Sequence, residues 1–331
     1  MSGEKKSGNS MWKSIRKSNM TAITAVLIIM LIIASVATPY FLDPYNIQSL
    51  FRDLAFIGMI GVAQSLLLLV GELDLSVGKM ASLCGVLCGM MIMYAGLNPW
   101  LAMVLGIVIG LLLGLLNGLL ITRLRLNSMV ATIGMQGLYG GINLVLTKGK
   151  AITGIPEQIH FLGKNSIGFV PIPFLIMLLV LAALLFLVKK TRTGRYIYAI
   201  GNGREAAKIL GIRVDTIRTL LYVIVGGISA LAGILYMCRL GSCQYSIGDT
   251  WPMNAIASAV IGGVALTGGV GNPVGALIGA AIISVISNLI VLLGVNVYWQ
   301  SAVSGIVVVL AISFSSISAI VSERKKRKTA V

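Results

Sequence analysis

Three carboxylates, Glu72, Asp74 and Asp249, adjoin long apolar runs in this chain. A carboxylate there is expensive unless it is capped, paired or wet, and proton or cation coupling is the usual chemistry of such groups. All three fall near the ends of apolar runs rather than inside them, which speaks against ion coupling. Glu72 and Asp74 belong to Gly71-Glu-Leu-Asp-Leu-Ser-Val-Gly78. Asp74 or Ser76 can cap the helix that follows, and Gly71 and Gly78 permit a tight reversal. The motif therefore reads either as a hinge or gate built on Gly71, Asp74, Ser76 and Gly78, or as an ordinary helix cap. It is not a catalytic pair, because no nucleophile, metal set or phosphate loop accompanies it. Cys84 and Cys88 share one face of an apolar helix, Cys238 and Cys243 lie far along the chain, and the lone His160 is remote from both pairs. No zinc set can be assembled at those spacings, so no metal is expected. Gly268 to Gly271 imitates a phosphate loop, but no strand precedes it and no Gly-Lys-Ser/Thr follows.

The elements that hold these residues are membrane helices. The chain is 57% hydrophobic and 11% charged, with a formal charge of +16, whereas soluble domains carry about a quarter charged residues. Apolar runs near the length a bilayer demands predict ten spans, roughly 21–38, 52–70, 75–95, 99–121, 128–146, 170–188, 216–238, 252–267, 273–293 and 298–318. The expected fold is all-α and polytopic. A basic tail, 1–20, leads into a ten-helix domain, 21–318, and a second basic tail, 319–331, follows. With both termini cytoplasmic, 21 of the 26 Lys and Arg fall inside, and only Arg52, Lys148, Lys150, Lys164 and Arg239 fall outside. Trp12, Trp100, Trp251 and Trp299 all sit at span ends, as an interfacial belt requires. The excess charge faces anionic lipid and soluble partners. No aromatic-interleaved platform for nucleic acid is present. The N-terminus has no small-residue cleavage site, so the first span reads as retained.

The segment Lys189 to Arg218 is basic and lies between two spans. Within it, Asn202 reads as an N-cap with Glu205 three residues on, as in a capping box. Gly203 to Leu210 can wind as a helix containing Ala206 and Ala207, and Gly211 supplies a left-handed stop. So short a helix is unstable alone in water. It needs a partner, as would the docking element of a transporter driven by a separate soluble protein. The fifth span, 128–146, is the most polar, with Thr132, Gln136, Tyr139 and Asn143 among four glycines. Such a helix suits close packing or a wet cavity better than lipid. The segment 147–170 is the longest extracellular loop. The glycines of 71–78 and 268–275 echo one another, each motif joining one span to the next.

Several motifs follow in order: Gly-x-x-Asp-Leu-Ser-Val-Gly (71–78), Asn-Gly (117–118), Ala-Thr (131–132), Gly-Arg-Tyr-Ile-Tyr-Ala-Ile-Gly (194–201), Ala-Ala-x-x-x-Gly-Ile (206–212) and Ile-Gly-Gly-x-x-x-x-Gly-Gly-x-Gly (261–271). Together they resemble the ribose-type permease subunits of bacterial ABC importers over about residues 20–318. One departure is Gly201-Asn202-Gly203, where that family commonly reads Gly-Gly-Asn. The resemblance implies a ten-span inner-membrane permease that pairs with a second copy or a paralogous permease. Its other implied partners are cytoplasmic ATP-binding cassette subunits, an extracytoplasmic sugar-binding protein and membrane lipid. The basic segment 189–215 is then the expected coupling segment, its short helix contacting the ATPase through Asn202, Gly203, Glu205, Ala206, Ala207, Ile209, Leu210 and Gly211. No Walker motif is present, so ATP hydrolysis falls to the partners and the chain is expected to hold no cofactor. Thr132, Gln136, Tyr139 and Asn143 are the candidate substrate path, uncharged groups suited to a polyol, with helix packing as their other reading. The expected cargo is a monosaccharide or sugar-like solute. Nucleosides or branched amino acids remain alternatives, and an ion-coupled secondary transporter is the rival from another class.

Overall fold

The structure, a computed structural model, describes residues 5–296 and the single positions 299, 302, 305, 306 and 309, with side chains from Met20 onward. In chain order the helices are α1 (Lys5–Ala37), α2 (Pro44–Leu69), α3 (Val77–Met93), α4 (Pro99–Arg123), α5 (Ser128–Thr147), α6 (Phe161–Lys164), α7 (Ile172–Lys190), α8 (Arg192–Asn202), α9 (Arg204–Ile209), α10 (Val214–Leu240), α11 (Trp251–Ile261) and α12 (Pro273–Leu292). Seven of these are long and apolar enough to cross a bilayer, and α3 and α11 are shorter apolar helices. The all-α polytopic architecture is therefore as expected. The tenth expected span, 298–318, and the tail 319–331 lie outside the described residues. The tail expected over 1–20 is not separate from the first span, because α1 is continuous from Lys5.

Three spans start on the same local chemistry. Asp43-Pro44, Asn98-Pro99 and Asn272-Pro273 each place a capping side chain before a proline at the first helical position. The cap satisfies a free N–H, and the proline lacks one where none is needed. Glycines then set how closely the spans pack. Gly110, Gly114 and Gly118 recur at one-turn spacing along α4, and a Cβ on any of them would press into Ala230 and Gly226, Tyr222 or Thr219 of α10. Small residues let two backbones approach where no solvent drives apolar helices together.

Two elements depart from plain spans. Residues 71–76 form an irregular segment, so α3 begins only at Val77. Residues 244–250 are irregular as well, and α11 stops at Ile261 instead of running to 267. The loop 147–170 is also built, not open. Its strand β1 (Ile152–Thr153) pairs antiparallel with β4 (Ser242–Cys243), and β2 (Ser166–Ile167) pairs with β3 (Val170–Pro171). Ile155 and Ile159 are buried in a cluster with Cys88, Cys238 and Cys243. All four cysteines are free and buried.

Candidate coupling and translocation site

Segment 71–76 is held by side chains at every step. Glu72, 3% exposed, is ion-paired to Arg204 of α9 at 2.9 Å and to Arg218 of α10. The Arg204 guanidinium also donates to Val70 O and Gly71 O. Asp74 is fully buried. Its Oδ1 accepts from the Ser76 N–H (2.7 Å) and hydroxyl (2.6 Å), and its Oδ2 accepts from Asn117 Nδ2 of α4 (3.1 Å). Asn117 also donates to Ser76 Oγ (2.8 Å) and accepts from the Tyr139 hydroxyl of α5 (2.8 Å). The Leu75 N–H donates to Thr132 Oγ1 (3.1 Å). The carboxylates are thus neutralised or hydrogen-bonded within the chain, as buried charge requires. The motif does more than cap α3: Ser76 precedes the helix but makes no side-chain capping bond to it.

The capping box at the short helix is corrected. Asn202 ends α8, with its Nδ2 donating to Tyr198 O (2.7 Å), and Gly203 precedes α9 without a side-chain cap. Glu205 pairs instead with Lys208 at 2.8 Å. The C-terminal stop is as expected. Gly211 adopts φ 77°, the Gly211 N–H reaches Lys208 O and the Ile212 N–H reaches Ala207 O, the paired bonds of a Schellman end. Ala207 faces the core, whereas Ala206 is exposed. Ile209 and Leu210 are 87% and 76% exposed. Gly201 of α8 lies against Leu69 O and Gly269, where a Cβ has no room, and the Gly269 N–H donates to Leu69 O (2.8 Å). Gly71, at φ +70°, abuts Thr267 and Gly268. The two echoing glycine motifs therefore meet at one junction beneath α8 and α9.

Of the four candidate path residues, three point into their own chain. Thr132, Tyr139 and Asn143 are at most 1% exposed. The first two hold segment 71–76 and Asn117, and Asn143 Nδ2 donates to Ser82 Oγ of α3 (2.7 Å). Their geometry is that of packing, and only Gln136 is partly exposed. The open face of α5 carries Gly134, Gly137 and Gly141, each with empty space where a Cβ would sit.

Sequence reasoning missed the segment beside that face. From Cys243 the chain descends along α3. Ser82 Oγ donates to Gln244 O (3.0 Å) and Lys79 Nζ to Tyr245 O (3.3 Å). Gly78 and Gly248 pack backbone to backbone with no room for a Cβ. The descent ends at Trp251, which stacks on Phe56, half-way along α2. Lys79 pairs there with Asp249 at 2.5 Å, and the Asp249 side chain is 51% exposed. Gln244, Ser246 and Thr250 are exposed with it. Irregular backbone and open polar side chains at this depth are tolerated where they line a watery cavity or meet protein. Lys79 is therefore not the loop cation its sequence position suggests. The signal was available: Asp249 and Thr250 precede a proline-started helix too short to cross alone.

The family described as branched-chain amino acid transport system / permease component matches residues 46–312. The chain belongs to this permease family. The permease is 40% identical over 288 residues to the ribose import permease protein of Bacillus subtilis, covering 86% of this chain and 89% of the relative. It is 34% identical over 298 residues to the autoinducer 2 import system permease protein of Yersinia enterocolitica, covering 89% and 81%. The ribose import permease protein of Escherichia coli K12 is 33% identical over 290 residues, covering 86% and 90%. No solved structure matches the permease. Its multi-pass membrane character rests on both the family and the seven long apolar helices.

Proposed function

We propose that the protein is the membrane-spanning subunit of a bacterial ABC importer for a monosaccharide or sugar-like solute, and that α9 transmits ATPase movement to the path through Arg204 and Glu72. The observation that carries this is the direct ion pair between a short exposed helix with an apolar tip and the buried broken segment 71–76. Ile209 and Leu210 would enter a cleft of a cytoplasmic ATP-binding cassette subunit. Displacement of α9 would then pull Glu72. Asp74, Ser76 and Asn117 tie that segment to α3, α4 and α5, so the movement would reach Lys79 and Gly78 against Asp249 and Gly248. The path would run along the open side of 243–250 and the glycine face of α5. That face would meet a second copy or a paralogous permease, because neither exposed glycines nor Asp249 gain from lipid contact.

The end that carries α8 and α9 is read as cytoplasmic, and the opposite end would receive a sugar-binding protein. ATP hydrolysis belongs to the partners, and this chain would hold no cofactor. Ion coupling is not favoured, since Glu72, Asp74 and Asp249 all have partners within the chain. The importer reconstituted in vesicles with its ATPase and binding protein should take up D-ribose only with ATP. Uptake of leucine without D-ribose would move the cargo to the amino-acid class, and uptake driven by an ion gradient without ATP would overturn the reading.

A further inference from the structure

A cavity of about 690 Å³ opens beside the turn between α1 and α2 and descends between α2, α11 and α12. Its lining runs from Tyr40 and Tyr45 at the mouth to Trp251 and Asn254 in the first turn of α11. Phe56, Tyr236 and Trp251 form a mutually packed aromatic wall, with centroids 4.9 to 6.1 Å apart. Arg239 lies over Phe56 and Tyr236 and is paired with Asp53 at 2.6 Å, which fixes that wall from behind. Asn254 and Ser284 both line the cavity and are 4% and 2% exposed. Asn254 Oδ1 and Ser284 Oγ nevertheless have no hydrogen-bond partner among the described residues. Buried polar atoms are rarely left so, and the exceptions call for a ligand, water or a functional role.

We propose that this cavity is a binding vestibule for a neutral polyhydroxylated solute on its way to the Lys79–Asp249 pair. The inference rests on the import reading above. Of this aromatic wall Tyr236 is partly exposed and can meet the C–H side of a sugar ring, with Phe56 and Trp251 buried against it. Amide and hydroxyl groups that can donate and accept suit vicinal hydroxyls. The charge balance narrows the ligand further. Asp43 and Asp53 are in the lining, while no lysine or arginine is among its described residues. The cation packed against that lining, Arg239, is already paired with Asp53, so a free carboxylate or phosphate would have to displace Asp53 from it, and the site favours sugars over amino acids. Thr250 lies in the lining next to Asp249, so the floor adjoins the open polar segment.

The test uses Ser287, a lining residue. Ser287→Cys is made in the full chain with the four native cysteines replaced, and the importer is reconstituted in vesicles with its partners. A polar thiol reagent should label Cys at 287, and saturating D-ribose should slow that labelling several-fold. Leucine should not slow it, and adding Asn254→Leu should abolish the protection by D-ribose. No labelling would mean that lipid or protein fills the cavity, and unprotected labelling would mean that no polyol binds; either overturns the proposal. Protection that survives Asn254→Leu would overturn the assigned contacts. D-ribose uptake by the same vesicles separates the two claims. Uptake without protection leaves the import function and removes the vestibule, whereas protection without uptake does the reverse.

Discussion

With Glu72 replaced by Ala, Arg218 retains Asp215 at 3.0 Å but loses its buried partner, and Arg204 loses its only carboxylate among the described residues. Opening a buried pair costs about 3–5 kcal/mol, and the low end applies because Arg204 is partly solvated. Glu72→Ala should lower the apparent melting temperature of the purified permease and loosen residues 71–76 to proteolysis. An unchanged melting curve would show that the pair contributes little. Asn117 connects three groups at once. Asn117→Leu removes the bond to Asp74 Oδ2 and leaves the Tyr139 hydroxyl only its longer contact with Leu113 O (3.3 Å), at about 1–3 kcal/mol for the unsatisfied buried carboxylate oxygen. Asn117→Asp should be worse, since it sets a second carboxylate against Asp74; stability equal to wild type in both variants would contradict the network.

Among the elements, α9 separates an exposed apolar tip, the proposed docking face, from a packing face. Ile209→Asp should abolish co-purification of the ATPase while the permease remains folded, because the side chain is 87% exposed. Ala207→Asp should instead destabilise the permease itself, since Ala207 is 2% exposed in the main core. Thermal unfolding beside pull-down distinguishes the two, and equal behaviour of both variants would refute this division of faces. The sequence made α9 legible through Gly211, where only a left-handed residue ends the helix. It misassigned the other end, because Asn202 caps equally well on paper but is consumed by Tyr198 O one turn back. The long spans were legible because twenty apolar residues have few other fates. The broken segments were not. Hydropathy reads 244–250 and 262–272 as loop or span according to neighbours, whereas their course is set by contacts such as Gly78 on Gly248 that join distant positions. Thr132, Tyr139 and Asn143 were recognised as unsuited to lipid, but polarity alone does not tell which side of a helix faces a cavity.

For the whole molecule, the charge asymmetry and the position of α9 make one statement about orientation. Arg125→Cys, in the turn between α4 and α5, should be shielded from impermeant reagent in intact cells, and Lys148→Cys, just past the other end of α5, should be reached. The opposite pattern would invert the molecule and remove α9 from the ATPase. Within this frame the proposed docking helix, the buried broken segment 71–76 and the half-length helix α11 would act in mechanical series. Coupling between them is a free energy, and typical allosteric couplings are about 1–3 kcal/mol, or roughly 5- to 150-fold in effect.

The most direct test measures ATP hydrolysed per D-ribose imported by the reconstituted importer carrying Arg204→Met. Ile209 and Leu210 remain, so the ATPase should still associate and hydrolyse ATP. Without the Arg204–Glu72 pair its movement should fail to reach segment 71–76, and the ATP used per sugar should rise about tenfold, within the range of ordinary allosteric coupling. An unchanged ratio, with assembly and turnover intact, would contradict the claim that this ion pair joins the ATPase to the path.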